Sequence, residues 1–364
     1  MSTSVTSPKL LRLALSLIAA ALAVIGFAAC QPAQAPGPKL AEEIVVYSTS
    51  EEKMDAVFDA FTKETGVQVK LKHYESPEQA IKEIQAGATY DVLTLESQFV
   101  PAAIAEGLLA PIDYRNMTNF KNISADFRNL AYDPNNKHTV PYSWGTAGLV
   151  VRGDRVAAPI THWADLWDPR YAGKTVGWLL PRYTLGAALK SLGYSANSED
   201  PMQLEAALQR LLALKPNAIW LNGDQESIAP ELVDGDAAFG LGWAYDYKVA
   251  HDQNAAVTYV LPEDGSLLWV DNFVIPANSP NKTTAELFLN FLLRPEITGQ
   301  LVNANYYAMP NDAAAPYIDP AILNDPVIYP ANQQLKNAEI LLPLSPAGQS
   351  LHDEIWERFL KAGQ

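Results

Sequence analysis

Residues Glu43–Gly107 read EIVVYSTSEEKMDAVFDAFTKETGVQVKLKHYESPEQAIKEIQAGATYDVLTLESQFVPAAIAEG. Apolar runs typical of buried strands alternate here with runs in which apolar residues recur at helical spacing. We therefore predict three strands, each followed by a helix, and this alternation implies a parallel sheet covered by helices. Ligands bind such sheets at the carboxyl ends of the strands, which fall at Tyr47–Glu52 and Leu95–Phe99. The segment thus predicts an α/β protein.

The rest of the chain indicates a second lobe and a return to the first. Residues Thr139–Asp154 are typical of a strand, and Val257–Pro276 indicate two strands around the turn PEDG. A helical pattern over Thr283–Asn303 is broken near Pro295. We predict a first lobe of residues 43–148 and 276–330, a second lobe of residues 149–275, a C-terminal segment 331–364 that closes on the lobes, and a cleft between the lobes.

The N-terminus has the pattern of an exported lipoprotein. A short basic stretch is followed by the uncharged, alanine-rich run Leu13–Ala29 and by Cys30, the only cysteine. We predict that residues 1–29 are a signal peptide, that Cys30 carries lipid, and that residues 30–42 form a tether. The alternative is an N-terminal transmembrane anchor, for which the run is slightly short and lacks charge on its far side.

The composition narrows the class of protein. The chain has 364 residues, of which 48% are hydrophobic, and its formal net charge is −15. An acidic chain is a poor partner for nucleic acid. A single, lipid-modified cysteine excludes disulfides, cysteine-zinc sites and thiol catalysis. The five histidines lack metal-ligand spacing, and no nucleotide-binding or hydrolase motif occurs. We therefore expect no enzyme activity, no cofactor and no metal.

The stretch LLWVDNFVIP, Leu267–Pro276, places a carboxylate inside an apolar run. In a strand, Trp269 and Asp271 point to the same face. An isolated buried carboxylate costs several kcal/mol unless something pairs with it. Either the protein supplies the partner of Asp271, or a ligand does.

Aromatic and acidic residues also occur together at other predicted strand ends. They are Trp243, Tyr306, Tyr307, Glu52 and Glu96. Such a set suits an ammonium group, because a carboxylate supplies charge and hydrogen bonds and each ring face adds about 0.5–2 kcal/mol. Two alternatives stay open: most tryptophans are core residues, and Glu52 could lie in the first turn of a helix, where the dipole favours acids.

Several segments of the chain together carry a resemblance to a known family. They include FTKETGVQVK (Phe61–Lys70), YDPNNKHTVPYSWGTAGLVV (Tyr132–Val151), WADLWDPRYAGK (Trp163–Lys174) and LPEDGSLLWVDNFVIPANSPNK (Leu261–Lys282). Together these segments resemble the spermidine/putrescine-binding proteins of bacterial ABC importers. The resemblance runs in order from about Glu43 to the C-terminus. It implies a type II periplasmic-binding-protein fold, in which two α/β lobes close about a hinge over one solute, and docking of the loaded protein on a permease.

The resemblance carries binding residues over unevenly. A Trp and an Asp two apart match Trp269 and Asp271, and two further aromatic positions match Trp243 and Tyr307. Other positions depart from the family. Where the family's first strand commonly ends with a Trp-Thr-x-Tyr pattern, this chain has Ser50 and Glu52, and where the family has a Ser-Thr-Tyr turn, it has Glu96, Ser97 and Gln98. Leu180 and Tyr183 replace two acids of the family's second lobe, and Leu341 replaces a Gln. One ammonium anchor is thus kept and the distal one is lost or replaced, with Glu52 and Glu96 as compensating charges.

We predict a monomeric, lipid-anchored solute-binding protein of the periplasm or outer face of the cell membrane. Its ligand would be a polyamine or related organic cation, bound by Ser50, Glu52, Glu96, Ser97, Gln98, Tyr183, Trp243, Trp269, Asp271 and Tyr307. The alternatives are another solute, such as a different amine or ferric iron at Tyr306 and Tyr307, or a sensor that binds no solute. An enzyme on this fold, such as a thiaminase-like member, would need a free cysteine nucleophile.

Overall fold

The computed structural model describes residues 39–48, 53–222 and 226–363. Residues Leu40–Gln364 form one compact unit. The predicted signal peptide, Cys30 with its predicted lipid, residues 31–38 of the tether, Ser50 and Glu52 lie outside the described residues. Among the described residues, no helix is both long and apolar enough to cross a membrane.

Ten strands and eleven α-helices make up the described part of this unit, with short 3-10 helices between them. The strands are β1 (Glu43–Ser48), β2 (Gln68–His73), β3 (Val92–Glu96), β4 (Thr139–Arg152), β5 (Thr175–Trp178), β6 (Ala218–Leu221), β7 (Phe239–Trp243), β8 (Val257–Val260), β9 (Leu267–Val274) and β10 (Glu339–Ile340). The helices are α1 (Asp55–Thr65), α2 (Pro77–Gln85), α3 (Val100–Ala105), α4 (Pro181–Ser191), α5 (Pro201–Leu214), α6 (Ala229–Val233), α7 (Ala244–Gln253), α8 (Lys282–Leu292), α9 (Pro295–Asn305), α10 (Pro320–Leu323) and α11 (Pro346–Lys361).

The predicted strand–helix alternation of Glu43–Gly107 is confirmed, and local chemistry sets its boundaries. Helix α1 ends at Gly66, whose φ of 79° is accessible to glycine at little cost. Helix α2 begins after Ser76, whose side chain accepts a hydrogen bond from the backbone N–H of Gln79. The interruption predicted near Pro295 is also present, since it separates α8 from α9.

The strands form one continuous sheet with the order β2-β1-β3-β9-β4-β7-β5-β6. The outer pairs on both sides are parallel, as β1 pairs with β2 and β3 and β5 pairs with β6 and β7. The central pairs of β9 with β3 and of β4 with β9 and β7 are antiparallel. Two parallel halves are therefore joined through the long strands β4 and β9.

Strands β8 and β9, predicted around one turn, do not form a hairpin. Strand β9 pairs with Thr139–Ala147 of β4, and β8 pairs with Leu149–Arg152 further along the same strand. The 14-residue strand β4 is long enough to pair with both, and β9 has β3 on its other side. Both strands are thus held by the strand that crosses between the halves.

The apolar core divides within the crossing strands. Trp144 of β4 and Val270 of β9 belong to a cluster with the residues of α1, α8 and α9. Ala147 and Leu267, three residues away in each strand, belong to a cluster that contains the residues of β5 and β7. The structure is thus a mixed α/β, two-lobed fold, with β1–β3 in the first lobe and β5–β8 in the second.

The C-terminal segment contacts the sheet and the second lobe. Strand β10 pairs with the start of β9. Ile355 and Phe359 of α11 share an apolar cluster with Leu204 and Leu208 of α5. These contacts tie the last helix of the chain to the same lobe that carries α4.

Candidate functional site

Three polar side chains lie in one row across the middle of the sheet. Asp271 of β9 is directly opposite Glu96 of β3 on one side and directly opposite Ser143 of β4 on the other. Directly opposite residues of antiparallel strands point to the same face, with Cβ atoms about 4.5–5.5 Å apart. The Ser143 hydroxyl donates to Asp271 Oδ2 over 3.5 Å, a long hydrogen bond. The fold therefore places two carboxylates side by side, and we call Glu96, Asp271 and Ser143 the carboxylate row.

Trp269 lies in the next row, on the same face as Asp271. Its partner in β4 is Gly145, and a Cβ atom at that position would stand 2.5 Å from Trp269 Cζ2. The indole therefore lies directly against the glycine backbone, and both Trp269 and Asp271 are partly exposed. The missing side chain of Gly145 is what gives the ring its place beside the carboxylate.

A hydrogen bond links the first lobe to the second at Glu96. The hydroxyl of Tyr183, in the first turns of α4, donates to Glu96 Oε1 over 2.9 Å. The Tyr183 ring meets the indole of Trp243 edge-on, with the ring centroids 4.8 Å apart and an interplanar angle of 86°. Trp243 in turn packs on the fully buried Trp178, with centroids 4.4 Å apart. The second lobe therefore presents an aromatic wall, made of Trp178, Tyr183 and Trp243, to the two carboxylates.

Arg182, next to Tyr183, brings a positive charge to this wall. Its Nη2 donates to Asn197 Oδ1 and to the carbonyl oxygen of Leu342, each over 2.9 Å. Burial lowers the pKa of Arg182, and the neighbouring Glu96 carboxylate is the strongest influence in the opposite direction. The Arg182 guanidinium is thus held by Asn197 and by the Leu342 backbone.

Tyr307 contacts the sheet at Tyr142 of β4. Its hydroxyl is hydrogen-bonded to that of Tyr142, and the two ring centroids are 5.8 Å apart at 76°. The register of β4 with β9 shifts between Pro141 and Ser143, so Tyr142 is the extra residue of a bulge. Bulges re-aim side chains in this way beside functional sites.

Ser97 and Gln98 have a different environment. Ser97 is fully buried, its backbone N–H donates to the carbonyl oxygen of Val270, and its hydroxyl donates to that of Leu341. Its polar groups are thus engaged with the backbone around the site, whereas Gln98 is partly exposed. The structure brings Glu96, Tyr183, Trp243, Trp269 and Asp271 together, and it adds Tyr142, Ser143, Trp178 and Arg182, which the sequence patterns did not single out.

The two tyrosines considered for ferric iron have separate environments. Tyr306 is 44% exposed, and the ammonium group of Lys248 lies 5.6 Å from its ring centroid, whereas the Tyr307 hydroxyl contacts Tyr142. Within the part of the chain that the structure describes, no three His, Cys, Asp or Glu side chains are grouped so as to hold a metal ion. The geometry around Asp271 is that of a carboxylate and aromatic site.

The chain is similar to known solute-binding proteins. The family model described as bacterial extracellular solute-binding protein matches residues 56–330. The spermidine/putrescine-binding periplasmic protein of Escherichia coli (strain K12) is 35% identical over 322 residues, which cover 87% of this chain and 91% of that protein. The putrescine/agmatine-binding protein of Pseudomonas aeruginosa is 28% identical and covers 82% of this chain and 86% of its own.

A solved structure shows the same fold. The spermidine/putrescine ABC transporter substrate-binding protein of Streptococcus pneumoniae is 31% identical, covers 88% of this chain and 99% of its own, and superposes with a TM-score of 0.79. All three relatives are binding proteins, and the one from Streptococcus pneumoniae is the substrate-binding protein of an ABC transporter. This chain is likewise a binding protein and not an enzyme. It belongs to the bacterial extracellular solute-binding proteins, within the spermidine/putrescine-binding family of ABC importers.

Proposed function

We propose that this chain is the extracytoplasmic receptor of an ABC importer and captures a polyamine or a related organic cation between its lobes. The observation that carries the proposal is the row of Glu96 and Asp271 beside Trp269. Two carboxylates directly opposite each other repel, and a cation between them removes that repulsion. The row therefore suits a cationic ligand.

The surrounding rings suit the alkyl chain and charge of an amine. Hydrogen bonds to charged groups contribute about 1.5–3 kcal/mol, and a ring face near an ammonium group adds about 0.5–2 kcal/mol. Trp269 lies two residues from Asp271 on the same face, and Trp243 stands on the facing wall in contact with Tyr183. An amine in this position would have charge partners on one side and aromatic surface on the other.

Capture by closure is supported by the connections between the lobes. Strands β4 and β9 run through both apolar cores, so they are the structural elements about which the lobes would bend. The Tyr183–Glu96 hydrogen bond joins one residue from each lobe at the carboxylate row. Closure would bring the aromatic wall against a ligand already held by the first lobe, and the closed monomer would then dock on its permease.

Anchoring by lipid at Cys30 is supported by the sequence of residues 13–30. Lipidation would hold the receptor at the periplasmic membrane or the outer face of the cell. The expected result for Cys30→Ser, expressed in the native host, is release of the protein from the membrane fraction and loss of the lipid mass. A variant that keeps both the membrane association and the mass of the wild type would rule out Cys30 as the anchor.

The ligand proposal is tested by calorimetric titration of putrescine, spermidine and spermine into the mature protein and into Asp271→Asn. We expect binding of at least one of these amines to the wild type. We expect a roughly ten- to hundredfold loss in Asp271→Asn, because the variant keeps the shape of the side chain and removes a charged hydrogen-bond partner.

Asp126→Asn is the matched control, since Asp126 is an exposed acid outside the set of site residues, and it should bind as the wild type does. If none of the three amines gives a heat of binding or a thermal shift, the polyamine class is excluded. Unchanged affinity together with lower stability in Asp271→Asn would make the carboxylate structural.

A further inference from the structure

The two carboxylates of the row come from strands whose mutual position is fixed. Strands β3 and β9 are in register from Leu93 opposite Val274 to Glu96 opposite Asp271. Both carboxylates therefore stand on one hydrogen-bonded ladder, and a movement of the second lobe against the first leaves them together. A cation site built on these two residues exists before the lobes close.

The residues that meet this site from the second lobe are of a different kind. Tyr183 contacts Glu96 through a hydroxyl, and the rings that touch Tyr183 are those of Trp178 and Trp243. The preceding residue in the chain, Arg182, carries a guanidinium whose pKa is lowered by burial and raised by the Glu96 carboxylate. The nearest carboxylate to this wall on α7, Asp246, is buried and accepts from the Trp243 backbone N–H and the Ser227 hydroxyl. The described part of the wall thus offers a hydroxyl, rings and a cation to the site.

The charges indicate how many ammonium groups the site takes. Glu96 and Asp271 lie directly opposite each other on paired strands, close enough to bind one cation together. One ammonium group therefore satisfies both carboxylates.

We infer that Glu96 is the second carboxylate of the cation site, that it binds the same ammonium group as Asp271, and that its hydrogen bond from Tyr183 couples this group to lobe closure. The inference rests on the proposed function and assigns the specificity of its site to a pair of acids on neighbouring strands. Tyr183 is a positioning residue, because it acts on the ligand through Glu96.

A double-mutant cycle with putrescine as the probe tests whether the two acids hold one group. The variants are Glu96→Gln, Asp271→Asn and the double variant, with the exposed Glu75→Gln as control. We expect each single variant to lose about tenfold or more in affinity. The double variant should lose clearly less than the product of the two losses, because contacts to one shared group are not additive.

Losses that multiply would overturn the inference, since they would place the acids on different ammonium groups. So would a Glu96→Gln variant that binds as well as Glu75→Gln does. In both results wild-type binding persists, so the proposed function stands. A wild-type protein that binds no putrescine, spermidine or spermine would overturn the proposed function and the inference together.

The coupling through Tyr183 has its own measurement. Tyr183→Phe removes the hydroxyl and keeps the ring on Trp243. Introduced into the otherwise wild-type protein, it should lower the putrescine affinity about two- to tenfold. In a Glu96→Ala background the same substitution should have no further effect. An equal loss in both backgrounds would show that Tyr183 acts independently of Glu96 and would refute the coupling.

Discussion

Asp271 is a carboxylate in a mostly apolar strand, and single neighbouring residues determine its surroundings. Ser143 donates to it from one side, and Glu96 stands opposite on the other. Gly145 provides the space in which the Trp269 ring lies. At this scale the site depends as much on an absent side chain as on the charged ones.

Gly145→Ala should therefore lower both stability and affinity. The new Cβ would overlap the Trp269 ring, and over-packing of this kind costs about 1–3 kcal/mol. We expect this loss in denaturant unfolding and a weaker amine affinity in titration, because the ring must move away from Asp271.

Trp269→Ala is the background that checks the cause of the loss. Without the indole, the same glycine substitution should cost little, since no ring occupies the space. A cost of equal size in both backgrounds would mean that Gly145 is required for the backbone of β4 rather than for the ring.

At the scale of elements, the sequence predicts local structure well and long-range pairing poorly. The alternation of β1–α1–β2–α2–β3–α3 follows from periodicity within short windows. The pairing of Glu96 with Asp271 joins strands 175 positions apart in sequence, and no local pattern contains that register. For the same reason the β-bulge at Tyr142 and the contact of Tyr183 with Glu96 had no detectable signal, although Tyr142 lies inside the predicted strand of Thr139–Asp154.

The C-terminal helix α11 illustrates an element whose attachment depends on pH. His352 is buried, and its Nε2–H donates to the carbonyl oxygen of Ser198. Burial is the main cause that lowers the pKa of His352, with Arg182 acting in the same direction and the Ser198 carbonyl, Glu199 and Asp353 opposing. The folded protein therefore keeps this imidazole neutral where the unfolded chain, with a pKa of about 6.5, already takes up a proton.

The free energy of unfolding should consequently decrease as the pH falls through about 6.5 toward the lower pKa of folded His352. Above about pH 6.5 the neutral His352 makes its full contribution to the free energy of unfolding, because the imidazole is neutral in both the folded and the unfolded state. His352→Gln keeps a donor for Ser198 and removes the titration, so its unfolding free energy should change less between about pH 7.5 and about pH 5.5. Equal slopes for the two proteins would assign the pH dependence to other groups.

For the whole molecule, the two lobes and the overall charge serve the same task. A formal net charge of −15 attracts cations from solution. In the proposed function, the carboxylate row is the site at which such a cation would bind. Strands β4 and β9, which run through both apolar cores, carry Ser143 and Asp271 of the row. In the proposed function, the aromatic wall of the second lobe would select, through its shape and through Tyr183, the cations that are retained after closure.

The most direct measurement is a crystal structure of the protein grown with putrescine. The carboxylate row predicts density for an ammonium nitrogen between Glu96 and Asp271, within hydrogen-bond distance of both, with the alkyl chain against Trp269 and Trp243. The Tyr183 hydroxyl should still donate to Glu96. Putrescine bound elsewhere in the cleft, with Glu96 and Asp271 making no contact to nitrogen, would contradict the assignment of this site.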